Sequence, residues 1–481
     1  MSVFVLCSVF SLRDSEVNAT VYSETISLYT NVVCSLNAGD VRKYYLTVNE
    51  SGYYAVETSG NTDTYGMVSA YNNQGLQSYY DDDGGAKRNC LVRFYQRANT
   101  TSVITIRHYN STSGTGTFGL QVRKQRAAFF TNQYSNGGLD TVAQATNPYS
   151  ITNQLGFKSV KFINAGKNDY KHGDGQSNCR YINSDIFMYS GHGHEGYITL
   201  PSSEVISETT LINEPAYSMH STNLALWNAC YSAVTPTNSS ALSMIDASVQ
   251  SGAKCAVGWN DEVYPNSLVI WTDNFFDEIH DGYSVLDSAI SSSSQFLLMF
   301  DHCRTACRMA GDNTISILAE PNSSTNSISS QETLKLEMQE NLNKYSYSIF
   351  ELEDNSKRYY RTINGTITNE YYDEYPNGYL VKSKCKLSKE SINKAKTINI
   401  DNMARNNTIE ISQLENKDGF TYNLSELNEQ IMLIQNGDDI IPVKFFIANY
   451  NRNEMDGYQK IQCINMIDGT LIDYDSICKC Y

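Results

Sequence analysis

DIFMYSGHGHEG, residues 185–196, and NLALWNACYSA, residues 223–233, are two short apolar runs that each stop at a reactive side chain. Asp185–Tyr189 and Asn223–Trp227 have the length and composition of strands buried on both faces, as in a parallel sheet. The first opens into Gly191-His192-Gly193 and the second into Ala229-Cys230. In an open α/β sheet the groups that meet ligand gather beyond the carboxyl ends of parallel strands, so adjacent strands would bring His192 and Cys230 to one crevice. The separation, 230 − 192 = 38 residues, leaves room for one crossover.

Around these runs the chain alternates apolar strands with helical segments from about residue 125 to 320, the order of an α/β domain with a mostly parallel sheet. Further strands are expected at Ser159–Ile163, Ala253–Gly258 and Thr314–Leu318. A crossover helix is expected at Ser239–Gln250, capped by Ser239 or Ser240, with Leu242, Ile245 and Val249 on one face and Gly252 ending it. Pro265–Ile279 and Ser284–Leu298 give two more helices, the second frayed or ended by the serines at 291–294.

Residues 35–124 read differently. Tyr44–Val48, Tyr53–Thr58, Gly66–Tyr71, Val92–Tyr95, Ser102–His108 and Gly116–Val122 are β-prone runs separated by turns such as Asn72-Asn73-Gln74-Gly75, the pattern of an antiparallel β-sandwich. The Ser-, Asn- and Thr-rich residues 321–332 mark a linker. Residues 333–481 combine a helical stretch at Thr333–Asn343 with Tyr-rich alternating runs and hairpin turns at Asn364-Gly365 and Asp468-Gly469, a small α+β accessory domain. The fold class is therefore multidomain.

The composition narrows the function classes. With 41% hydrophobic residues, 35 Tyr and 17 Phe, the 481-residue chain can bury several cores. A net charge of −16 argues against a nucleic-acid partner. The longest apolar stretch, Val3–Leu12, is too short for a membrane span. Within residues 1–34 that stretch suits the core of a secretory leader, with Val17 and Ala19 as small residues before a cut near Thr20, and it also suits an ordinary strand. The low charge and the Asn, Ser, Thr and Tyr content fit a secreted or cell-surface protein. If Cys7 leaves with the leader and one thiol is reserved as reactive, ten of the 12 cysteines could pair.

A reactive thiol needs an imidazole near it to take its proton or to protonate the leaving group, and glycines let a substrate approach the backbone. Gly191-His192-Gly193 offers both, with His194 as the alternative imidazole. Taken singly, His192 could be a loop histidine bonded to backbone, and Cys230 a buried strand thiol. His192-x-His194 also has the spacing of two metal ligands, but no further ligand set accompanies it. The Asp81, Asp82, Asp83 cluster would suit calcium, although an acidic turn before two glycines needs no ion.

Two ordered blocks, an apolar strand ending in His-Gly and one ending in Ala-Cys, resemble the caspase-fold cysteine peptidases, with clostripain and gingipain as bacterial members. The downstream SGAKCAVGWNDEVY, residues 251–264, is similar to the next strand and pocket-forming loop of that three-layer fold. The resemblance spans about residues 126–320. It implies Cys230 as nucleophile, His192 as general acid/base, the backbone N–H groups of Gly193 and Cys230 as oxyanion hole, and no required cofactor. In clostripain-like enzymes an Asp two residues before the nucleophile selects a basic side chain. Here that position is Asn228, with Trp259, Asp261 and Glu262 as further candidates for the substrate pocket.

The sandwich, through SGYYAVETSGNTDTYG, YYDDDGG and GTGTFGLQV, resembles the bacterial pre-peptidase C-terminal domain, a noncatalytic module of secreted peptidases. The C-terminal runs RTINGTITNEYYDEYPNGYLV and VKFFIANYNR are similar to propeptide-associated domains that inhibit or escort peptidases, and the position of this accessory domain beyond a flexible linker suggests autoinhibition by occlusion of the crevice until cleavage. The expectation is a secreted cysteine endopeptidase acting on proteins or peptides. The competing expectation is an inactive caspase-like protein that binds surfaces or adheres.

Overall fold

The computed structural model describes residues 20–134, 139–173, 180–237, 241–295, 303–318, 327–352, 354–383, 385, 387–398, 421–426, 431–436, 439–451, 457–467 and 471–472. The leader segment, the Ser239 and Ser240 caps and the Asp468-Gly469 turn lie outside the described residues. The chain forms two compact units, Met1–Arg123 and Lys124–Tyr481.

In the first unit, β1 (Val21–Thr25), β3 (Val41–Val48), β5 (Thr64–Asn72), β6 (Gly75–Asp81) and β8 (Thr100–His108) form one sheet in the order β1-β3-β8-β5-β6. The second sheet, of β2 (Val32–Leu36), β4 (Gly52–Gly60), β7 (Leu91–Gln96) and β9 (Gly116–Lys124), has the order β2-β9-β4-β7. Alternate residues bury between them: Tyr44, Leu46, Val68, Ile104 and Ile106 from the first, Tyr54, Val56, Phe94, Phe118 and Leu120 from the second. This period of two is why one face of each strand is apolar and the other polar. The acidic turn is bonded internally, since the Asp81 carboxylate accepts from Gly84 N (2.8 Å) and Leu91 N (2.8 Å). Cys34 and Cys90 are buried thiols here, and Cys255 is one in the second unit, so the expected pairing does not extend to these three.

The second unit is built on a six-stranded sheet of β10 (Arg126–Thr131), β11 (Lys158–Ile163), β12 (Ile186–Ser190), β16 (Leu224–Asn228), β17 (Cys255–Trp259) and β18 (Cys307–Gly311). Its order is β11-β10-β12-β16-β17-β18, parallel except for β18. The antiparallel edge strand corrects the expectation at Thr314–Leu318. That segment follows an Asp312 turn and joins no sheet: it forms an isolated Ser284–Ser316 bridge, and Val285 N donates to Ile315 O (3.0 Å). A side sheet of β13 (His192–His194), β14 (Tyr197–Thr199) and β15 (Val205–Ser207) stands between β12 and β16 in the chain.

Helices α1 (Thr146–Gln154), α2 (Lys167–Lys171), α3 (Glu208–Asn213) and α4 (Met244–Gln250) fall within the strand connections, α5 (Pro265–His280) and α6 (Val285–Ser293) follow β17, and α7 (Cys303–Ala306) precedes β18. The α4 cap is Ser243, which accepts from Asp246 N. On one face of the sheet Phe130 stacks on Phe162 at 4.7 Å and Tyr170 at 4.0 Å. On the other, Phe129 meets Phe276 of α5 at 5.8 Å. The central strands β12, β16 and β17 are buried throughout and read as continuous apolar runs, as strands covered on both faces do.

After α8 (Ser327–Lys344), which begins inside the segment read as linker, come β19 (Tyr347–Glu351), β20 (Lys357–Ile363), β21 (Thr366–Glu374), β22 (Leu380–Lys382), α9 (Lys389–Thr397), β23 (Thr421–Glu426), β24 (Met432–Asn436), β25 (Asp439–Asn451), β26 (Gly457–Asn465) and β27 (Leu471–Ile472). The hairpin β20–β21 turns at Asn364 (φ 49°) and Gly365 (φ 80°), the two positive φ values a tight two-residue loop requires. This sheet shares a core with α5: Ile270 packs in one cluster with Tyr360, Tyr371, Val443 and Phe445. Beside it, Asp373 takes Arg358 at 2.6 Å and Arg304 at 2.9 Å, all three buried. Burial opposes the Asp373 charge, but the two guanidinium groups outweigh it and hold its carboxyl below the usual range.

Candidate active site

The site is set by one strand pairing. β12 and β16 run parallel with Ser190 opposite Asn228, so the next residues of each, Gly191-His192 and Ala229-Cys230, leave the sheet side by side at its carboxyl edge. Neighbouring strands lie about 4.8 Å apart, so the two turns start within side-chain reach. Buried polar groups pin both ends. Ser190 O accepts from Thr141 Oγ1 (2.9 Å) and Asn132 Nδ2 (3.1 Å). Gln144 Oε1 accepts from Ser190 Oγ (2.5 Å) and Asn228 Nδ2 (3.2 Å), tying the two strand ends to one amide.

His192 is exposed and opens the β13–β14 hairpin opposite Thr199. Its N–H donates to Tyr134 Oη (3.1 Å), and that hydroxyl donates to Thr199 O (2.8 Å). The Tyr189 hydroxyl lies 3.0 Å from His192 O and 2.9 Å from Thr199 O, sharing one proton between them. The Tyr134 ring sits 4.5 Å from the imidazole, tilted by 54°. Burial pushes both phenols above their ordinary pKa, so each stays a hydroxyl that can donate. His194 is also exposed and stacks on Tyr197 at 4.8 Å, one turn of chain further out.

Cys230 is half-buried, and its Sγ stands 3.9 Å from Val263 O. Tyr231 holds φ at 57°, a left-handed conformation rare for a bulky residue, at the point where the chain turns away from the thiol. The turn is held by Tyr231 N donating to Asp261 O (3.3 Å) and Ala233 N to Trp259 O (2.8 Å). Gly193 closes the space between the two turns: a Cβ there would stand 2.6 Å from Ala229 Cβ and 2.7 Å from Cys230 O. No residue larger than glycine fits without moving the Cys230 backbone.

The expected substrate-side residues divide. Asn228 is buried beneath the strand ends, its amide donating to Thr272 Oγ1 (2.7 Å) as well as to Gln144. Trp259 is fully buried, edge-on to Trp271 at 5.0 Å, so its ring lies in the core. Asp261 is partly exposed beside Tyr231, whose phenol is pushed up by burial and then by the Glu262 and Asp261 carboxylates. Among the described residues no three His, Cys, Asp or Glu side chains converge on a point that could hold a metal ion.

Tyr134, Thr141, Gln144 and Thr272 belong to the site and carried no signal in the sequence. Tyr134 meets His192 across 58 residues, and Gln144 meets Asn228 across 84.

Among the described residues no helix is long and apolar enough to cross a membrane. No family model matches the sequence. No curated protein matches it either. Solved structures are similar to parts of the chain. One is the pre-peptidase C-terminal domain of collagenase from Bacillus anthracis, 15% identical, covering 22% of this chain and 97% of that one with a TM-score of 0.17. Another is the complex of Porphyromonas gingivalis RgpB pro- and mature domains, 11% identical, covering 71% of this chain and 68% of that one with a TM-score of 0.29. A third, Aeromonas hydrophila PliG, a periplasmic lysozyme inhibitor, is 10% identical and covers 22% of this chain and all of its own, with a TM-score of 0.16.

Proposed function

We propose that the chain is a secreted cysteine endopeptidase on a caspase-like α/β domain, cutting peptide bonds of protein substrates through Cys230 and His192. The observation that carries this reading is the parallel pairing of β12 with β16, which starts the His192 and Cys230 turns side by side at one sheet edge. His192 takes the proton of the Cys230 thiol, and the sulfur attacks the scissile carbonyl carbon to form a C–S bond. The carbonyl oxygen becomes an oxyanion held by the backbone N–H groups of Gly193 and Cys230. Collapse breaks the C–N bond as His192 returns its proton to the leaving amine, and water then releases the acyl group with His192 as base. The close seating of Gly193 on the Cys230 backbone supports a fixed oxyanion geometry. Asp261 and Glu262 give the neighbouring rim an acidic character that favours basic substrate side chains.

Labelling with a peptide that carries a thiol-reactive warhead tests the proposal. Modification at Cys230, abolished by Cys230→Ala and strongly weakened by His192→Ala, is the expected result. Labelling only at other residues would return the chain to the binding-protein reading.

A further inference from the structure

We propose that Tyr134 is a positioning residue for His192, holding its backbone and imidazole in the orientation used for proton exchange with Cys230; this rests on the cysteine-peptidase reading. His192 sits at the exposed start of a three-residue strand, where backbone and side chain would otherwise move together. Two hydroxyls restrain its backbone, one at the N–H and one at the carbonyl. Tyr134 Oη accepts the His192 N–H at 3.1 Å, and Tyr189 Oη stands 3.0 Å from the His192 carbonyl. Both hydroxyls also reach Thr199 O, so the residue and its cross-strand partner form one unit.

Tyr134 is itself anchored. Its N–H donates to Leu139 O (3.0 Å), and the preceding Gln133 pairs with Asp140 and donates its N–H to Asn164 Oδ1 (2.7 Å). Its ring, 4.5 Å from the imidazole, blocks rotation toward that side. Tyr189 engages the carbonyl of His192, whereas Tyr134 holds its N–H.

The test uses the full chain, fluorescein-labelled casein as probe, and active sites titrated with the warhead peptide, so that any unfolded fraction drops out. Tyr134→Phe keeps the ring and removes the acceptor; kcat per titrated site should fall about tenfold, the worth of one ordinary hydrogen bond, with KM unchanged. Tyr134→Leu removes both restraints, and a misplaced imidazole should lower kcat about a hundredfold. Iodoacetamide alkylation of Cys230 at pH 7, which bypasses substrate binding, should slow in the same order. A purely structural role would lower Tm and leave kcat per site unchanged. Wild-type kcat per site in both variants overturns the inference while the peptidase reading stands. Casein turnover by Cys230→Ala would instead overturn the peptidase reading itself.

Discussion

Gly193→Ala is the sharpest perturbation of the proposed machinery, because it adds one methyl group and no charge. The new Cβ would stand 2.6 Å from Ala229 Cβ and 2.7 Å from Cys230 O, against an ordinary contact that begins at 3.4 Å. Relief needs 3.4 − 2.6 = 0.8 Å of movement, and both obstructing atoms belong to the turn that carries the nucleophile. A displacement near 1 Å at reacting groups costs on the order of 10²-fold in rate, so kcat should fall by about that factor with KM little changed. Overpacking a close contact also costs about 1–3 kcal/mol, read as a moderate drop in Tm. Ala229→Gly in the same chain removes the nearer obstruction and leaves Cys230 O at 2.7 Å, so it should restore only part of the loss. The assay is casein turnover per titrated active site, with thermal unfolding as control. A folded Gly193→Ala protein with wild-type kcat would show that Gly193 does not set the geometry of the Cys230 turn.

Burial raises Cys90 to about 11 and Cys255 to about 12, so at pH 8 only about 10⁻³ and 10⁻⁴ of these thiols ionise. Iodoacetamide should therefore modify Cys230 well before either, and mass mapping of time-resolved labelling checks the order. The same two groups make stability depend on pH: their folded pKa lies above the ordinary 9.0, so their contribution is complete below pH 9 and is lost as pH rises toward 11 and 12. Denaturant midpoints should fall above pH 9, where Cys307 and the buried tyrosines contribute as well, and Cys90→Ala and Cys255→Ala should lessen that fall. Asp373→Asn leaves Arg358 buried without its carboxylate and Arg304 with Asp354 at 3.4 Å, which should cost about 3–5 kcal/mol in urea unfolding, and an unchanged midpoint would contradict the assigned pair. Removing residues 321–481 uncovers Ile270 of α5, so the truncated chain should lose stability and gain no turnover, whereas increased turnover would establish occlusion by that region.

Much of the second unit could be read from apolar runs, because strands covered on both faces cannot conceal their composition. β12, β16 and β17 emerged that way, and the order of their ends pointed to His192 and Cys230. β10 escaped because Gln125 alone separates it from β9, so two strands of different sheets read as one continuous segment. β18 escaped because its sequence, Cys307-Arg308-Met309-Ala310-Gly311, has the mixed polarity of an edge, while Thr314–Leu318 has an apolar rhythm but little pairing. The thiol and imidazole were legible as chemistry at strand ends. Their supports were not: Tyr134, Gln144 and Thr272 reach the site through contacts distant in sequence, and a lone polar residue near an apolar run does not announce its partner. Trp259 illustrates the converse, a residue conspicuous in sequence whose ring packs inside against Trp271.

The central claim is that the Cys230 sulfur performs the bond cleavage. Casein hydrolysis by wild-type protein, Cys230→Ala and Cys230→Ser, with matched folding verified by circular dichroism, measures it most directly. Turnover is expected in the wild type, with a loss of at least about 10³-fold in both variants once the nucleophile is removed. Undiminished hydrolysis by folded Cys230→Ala would contradict it.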